Sequence, residues 1–244
     1  MESTFENCVS LTSISISGFN TYKVKSMSKL FKSTSVSSID LRIFNTSNVI
    51  DMSFMFANSY SLTHVYLEKL NTKQVQDMSY FFYSCKSLTS INLNIDGSNL
   101  KNMSKMFSDC TNLKDIEVNR FKADSIIDMS YMFENCEKIK ELRFVSKIKI
   151  DDGNLQGMFK QCSSLSSIDV SGLSTIYVEN MSEMFYKTKL TSLDLSKFSA
   201  SKVTDMSYMF YGCEYLASLS LNNFATNKVK NMSNMFSGCT DLRI

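Results

Sequence analysis

Proline and tryptophan are absent from this 244-residue chain, and histidine occurs once, at His64. A chain without proline keeps a backbone donor at every residue, which suits a fold whose N–H groups are nearly all engaged by neighbours. A lone histidine gives little to build Ser/His/Asp or Cys/His catalysis on. His64 itself, in "SLTHVYL", reads as a surface residue beside the apolar pair Val65 and Leu67. Neither charge is in excess: 26 basic and 24 acidic residues leave +2, which argues against nucleic acid or an anionic membrane as partner. The apolar runs are far too short for a membrane span. The opening "MESTFENCVS" has no basic segment followed by an apolar one, so no signal peptide is expected.

What is present is repetition. "DMSYMF" occurs at Asp128–Phe133 and again at Asp205–Phe210, among relatives such as "DMSFMF" and "NMSEMF". The phenylalanines that close these hexapeptides recur every 25 or 26 residues from Phe5 to Phe236. A constant period of this length is the signature of a solenoid. The shared frame is V-x-x-M-S-x-M-F-x-x-C-x-x-L-x-x-I/L-x-L, followed by a polar stretch. It runs unbroken, so the expectation is one domain over residues 1–244 with about nine units, starting and stopping inside a repeat.

Two periodicities share the frame. Val203, Met206, Met209, Phe210 and Cys213 are spaced as one face of a short helix, while Leu219 and Leu221 alternate with polar residues as in a strand. The Asp, Asn or Ser before the first Met, such as Asp77 or Asn102, suits a helix N-cap; the Ser two residues on is a rival. The strand pairs begin at Ile14/Ile16 and continue through Ile39/Leu41, Ile91/Leu93, Ile116/Val118 and Leu142/Phe144 to Leu219/Leu221. The fold class expected is therefore an α/β solenoid of leucine-rich type, with a parallel sheet on one face and short helices on the other.

All seven cysteines lie three residues after a frame phenylalanine, and Ser59 takes the same slot in another unit. Identical slots 25 residues or more apart do not make a C-x₂-C metal site or a disulfide framework. They read as small buried core residues, and the frame methionines read as core filling. No cofactor and no metal are expected. Carboxylate pairs such as Asp115 with Glu141, or Asp169 with Asp194, carry no sign of a cleft or a raised pKa, so an enzyme is not expected.

The outward strand positions form a polar face of serines with a more charged centre: Ser90, Asn92, Asp115, Glu117, Glu141, Arg143, Asp169 and Asp194, with Asn94, Asn119 and Val145 beside them. Solenoids use such surfaces for extended partners. "VTDMSYMFYGCEYLASLSLNNFATNKV" and "NMSNMFSGCTDLRI" resemble the BspA-like leucine-rich repeats of surface proteins from bacteria, mycoplasmas and parasitic protists. The resemblance covers nearly the whole chain, departing at residues 155–159, which read "LQGMF". It implies a cell-surface or secreted, non-enzymatic module that adheres to proteins or extracellular matrix. The alternative is a structural unit that self-associates by stacking end to end.

Overall fold

The computed structural model describes residues 1–93, 95–117, 122–144, 146–222 and 224–243. The expected positions Asn94, Val118, Asn119 and Val145 lie outside the described residues. The chain winds as an all-parallel β-solenoid, and no helix occurs among the described residues. One wall carries short strands: β1 (Ser38–Asp40), β2 (His64–Tyr66) and β3 (Ser90–Asn92). After β4 (Asp96–Gly97) come β5 (Asp115–Glu117), β6 (Lys122–Asp128), β7 (Glu141–Arg143) and β8 (Ile148–Asn154). β9 (Ser167–Asp169), β10 (Leu173–Ser174), β11 (Ser192–Asp194) and β12 (Ser218–Ser220) complete the set. Strands β1, β2, β3, β5, β7, β9, β11 and β12 coincide with expected apolar pairs. Ile14 and Ile16 are not in a strand. A second wall, β10-β8-β6-β4, was not anticipated from the sequence.

The expected helices are replaced by a wall of consecutive turns, which corrects the α/β leucine-rich assignment. A helix would send each N–H back four residues along its own segment. Here the N–H groups of Met27, Lys29, Phe31 and Ser33 reach the carbonyls of Asp51, Ser53, Met55 and Ala57 in the next coil at 2.8 to 3.0 Å. This requires alternate backbone handedness. Lys29 and Ser33 have φ of 57°, and the equivalent residues do the same, for example Tyr80 at 57° and Ser84 at 55°. Turns close locally as well, with Leu30 N–H on Met27 O at 3.2 Å. A left-handed non-glycine residue costs about 1 kcal/mol or more. The inter-coil hydrogen bonds and the burial of Met and Phe offset that cost.

The residues expected to cap helices cap these turns instead. Asp77 Oδ1 accepts the N–H of Ser79 at 2.7 Å, Asp128 Oδ1 that of Ser130 at 2.8 Å, and Asn180 Oδ1 that of Ser182 at 2.9 Å. The chemistry is that of an Asx-turn, which accepts from the N–H two residues on and so does not distinguish a helix start from a turn.

The core lies between the walls. Every frame phenylalanine stacks on the next, from Phe5 on Phe31 (5.4 Å between centroids, 9° between planes) through Phe133 on Phe159 (5.9 Å, 6°) to Phe210 on Phe236 (5.4 Å, 5°). Methionines such as Met103, Met129 and Met206 flank this stack without solvent exposure. The cysteine slot is a hydrogen-bonding position: the thiols of Cys85, Cys110, Cys136 and Cys162 each donate to the phenylalanine carbonyl one coil back, at 3.0 to 3.2 Å. Ser59 makes the same bond to Phe31 O at 2.8 Å. Cys8 is exposed and Cys239 half-buried, unlike the other five.

Candidate functional site

Two outer surfaces compete as the functional face. On the turn wall, aromatic side chains stand between lysines. Phe54 stacks on Tyr80 at 4.4 Å and Tyr186 on Tyr211 at 4.9 Å. Lys105 Nζ lies 5.7 Å from the Tyr80 ring and 5.3 Å from that of Tyr131; Lys160 Nζ bridges Tyr131 and Tyr186 at 5.7 and 5.4 Å. Lys160 also pairs with Glu183. Each of these rings already meets another ring or an ammonium of the same chain.

The strand wall is different. Alternation along each short strand turns one residue inward and its neighbours out. Ile91, Leu142 and Leu193 point into the core while Ser90, Asn92, Glu141, Arg143 and Asp194 are exposed. All eight residues named from the sequence as a partner face are exposed, and all lie on this wall. Parallel pairing sets them side by side: Ser90 with Asp115 and Asn92 with Glu117 in β3–β5, Arg143 with Asp169 in β7–β9, and Asp194 with Ser220 in β11–β12.

The polar groups on this wall satisfy one another locally. Asn92 Nδ2 donates to Glu117 Oε2 at 3.1 Å, and Arg143 Nε to Glu141 Oε1 at 2.6 Å. The hydroxyl of Ser171, then its N–H, hold the Asp169 carboxyl below its ordinary range, with Arg143 adding to the effect. Ser196 does the same for Asp194. At the other end, Arg42 binds both Asp40 oxygens and lowers that carboxyl to about 2. Carboxylates held ionised in solvent are suited to ion pairs and hydrogen bonds rather than to general acid catalysis, which needs a raised pKa.

Among the described residues, nothing on the wall assembles reaction chemistry. The exposed His64 places Nδ1 2.9 Å from Oγ1 of half-buried Thr63. No group of three or more His, Cys, Asp and Glu side chains suited to a metal ion occurs among the described residues. The buried thiols are driven up by burial, Cys110 to about 12 and Cys213 to about 11, so these are neither nucleophiles nor ligands at ordinary pH. The centre of the wall does hold a groove of about 800 Å³ between β5 and β7. Asp115, Glu117, Glu141 and Arg143 line it as the sequence suggested; Lys114, Lys138 and Lys140 also line it and were missed. A signal was available for two of them: Lys114 and Lys140 immediately precede strands, where the counterparts elsewhere are Ser, Thr or Ala.

This continuous frame matches a family model described as "Mycoplasma protein of unknown function, DUF285" over residues 1–116, 63–146 and 153–244. The chain belongs to the DUF285 family. No curated protein matches it. Among solved structures, the DUF285 chain is similar to a leucine-rich repeat protein of T. pallidum, with 24% identity, a TM-score of 0.46, and 68% of this chain and 70% of that one covered. It is also similar to a leucine-rich repeat protein from Bacteroides ovatus, with 16% identity, a TM-score of 0.39, and 99% and 74% covered. Both TM-scores fall below 0.5, and the functional reading of the DUF285 chain rests on its own geometry.

Proposed function

We propose that this chain is a non-enzymatic binding module, displayed on a cell surface, that contacts a protein or extracellular matrix component through its strand wall. The observation that carries the reading is the exposed polar array from Ser90 to Asp194, paired in register within β3–β5 and β7–β9, on a repeat scaffold. The surface location rests on the resemblance of the repeat frame to BspA-like surface proteins. Without aromatic anchors among the described residues on the central coils of this wall, affinity comes from area and from many polar contacts.

The test is attachment of the purified chain to immobilised matrix proteins and to cultured cells. Ser90→Arg with Asp169→Arg places two bulky cations on the wall at exposed positions and leaves the core untouched. Attachment falling with this variant, at unchanged melting temperature, supports the reading. Unchanged attachment removes the strand wall as the contact surface.

A further inference from the structure

In a chain written in one repeated frame, a specialised site shows where the frame breaks. The residue just before each strand of the strand wall is Ser, Thr or Ala, except in two consecutive coils, where it is Lys114 and Lys140. The first strand position is Ser or His, except in the same two coils, where it is Asp115 and Glu141. Adjacent coils at roughly 4.8 Å set lysine beside lysine and carboxylate beside carboxylate. Like charges directly opposite one another destabilise strand pairing.

On this wall, strand pairing stops between these two coils. β5 pairs back to β3 and β7 pairs on to β9, but among the described residues β5 and β7 do not pair with each other. The ladder is also interrupted between β2 and β3 and between β9 and β11, yet those strands stay side by side. Between β5 and β7 the wall opens into the groove, with half-exposed Ile116 at its lining. Along the strand direction the groove has two ends of different sign. Lys114, Lys138 and Lys140 stand at the start, all exposed, and no carboxylate among the described residues pairs with them. Further along lie Asp115 and Glu117, while Glu141 is neutralised by Arg143.

We infer that this groove binds an extended peptide segment of mixed charge, lying along the strand direction, with acidic residues over Lys114, Lys138 and Lys140 and basic residues over Asp115 and Glu117. This rests on the reading of the strand wall as a protein-binding surface. A continuous polyanion running along the solenoid axis does not fit, because it would leave the lysines and pass Asp169 and Asp194. The ligand brings the counter-charges that the two coils lack, and the groove receives its backbone.

The test uses the full chain and fluorescent synthetic peptides at low salt: Glu-Glu-Ser-Ser-Lys-Lys, the all-acidic Glu-Glu-Ser-Ser-Glu-Glu, and a neutral Ser/Gly peptide. The mixed peptide is expected to bind at least about tenfold more tightly than the other two, with salt weakening it. Lys114→Glu with Lys140→Glu should abolish that preference. The four-fold exchange that adds Asp115→Lys and Glu117→Lys should restore binding to the reversed peptide, Lys-Lys-Ser-Ser-Glu-Glu, a gain that a misfolded variant could not produce. Equal or tighter binding of the all-acidic peptide, or no binding of the mixed one, overturns the inference. If attachment to matrix or cells survives the four-fold exchange, the groove inference fails while the strand-wall module stands; loss of attachment with Ser90→Arg and Asp169→Arg is scored separately.

Discussion

The Sγ of Cys136 donates a buried hydrogen bond to the carbonyl of Phe107, one coil back, at 3.2 Å. The slot therefore requires a small side chain with a donor, which is why Ser59 substitutes for cysteine in this frame position and Ser59 in turn meets Thr34. Cys136→Ser should keep stability within about 1 kcal/mol, while Cys136→Ala should lose about 1 to 2 kcal/mol by deleting the donor and leaving space. Urea unfolding of both variants checks the order. Alanine as stable as serine would show that the bond contributes nothing.

Burial also makes these thiols report on folding. In the native chain a thiol reagent should titrate Cys8 and Cys239 quickly and the five buried cysteines only after denaturation. The pH dependence has a definite sign. The Cys110 thiol is raised by burial from 9.0 to about 12, so above pH 9 the unfolded chain ionises first and gains stability relative to the native one. The contribution is fully present below pH 9 and is lost between pH 9 and 12. Melting temperature should fall across that window, and less so in Cys110→Ser.

The turn wall makes a prediction opposite to that for a helix. Gln161 has φ of 58° at a position occupied in other coils by Gly212 and Gly238. Gln161→Gly should be neutral or stabilise by up to about 1 kcal/mol, where in a helix it would destabilise by a similar amount. Gly157→Ala should go the other way, by about 1 to 3 kcal/mol: φ is 58° and the new Cβ would lie 2.4 Å from the Tyr131 ring. Thermal melting separates the two.

The Asx-turns need a side-chain acceptor, supplied by Asp or Asn in most coils and by Ser26 in one. Asp77→Asn should be close to neutral, since Asn102 and Asn180 make the same bond, and Asp77→Ala should cost about 1 kcal/mol. Equal losses for both would mean that charge, rather than the acceptor, matters there.

Removing one member of the phenylalanine stack should be the most damaging single change. Phe133 touches Phe107 and Phe159 and is fully buried, so Phe133→Ala should destabilise by about 3 to 5 kcal/mol. Phe133→Leu should lose clearly less. Chemical denaturation measures both.

The repeat and its strands were legible because periods of 25 and of 2 leave little choice: Ile91, Leu142 and Leu193 alternate with polar residues and can only face the core. The wall opposite was misread because Met206, Met209, Phe210 and Cys213 share a face either in a helix or in alternating turns. Side-chain spacing does not say whether an N–H bonds within its own coil or to the next. A hint lay in the second left-handed slot, where Ser33, Asn58, Asp109, Asn135 and Gly212 tolerate positive φ. Strands β6 and β8 were overlooked because their apolar residues, Ile126, Ile148 and Ile150, fall in the stretch treated as polar linker. The charged centre of the strand wall was visible, but Lys114, Lys138 and Lys140 were left out because they precede the strands.

The turn wall has a further property. In an ordinary sheet successive peptide groups point to opposite neighbours and their dipoles largely cancel. Here the N–H groups of Met27, Lys29, Phe31 and Ser33 all face the following coil, and the carbonyls of Ser26, Ser28, Leu30 and Lys32 all face the preceding one. The same arrangement recurs from coil to coil, so their moments add along the solenoid axis, positive toward later coils. One wall of this nearly neutral protein is thereby electrically polarised from end to end, by its backbone alone.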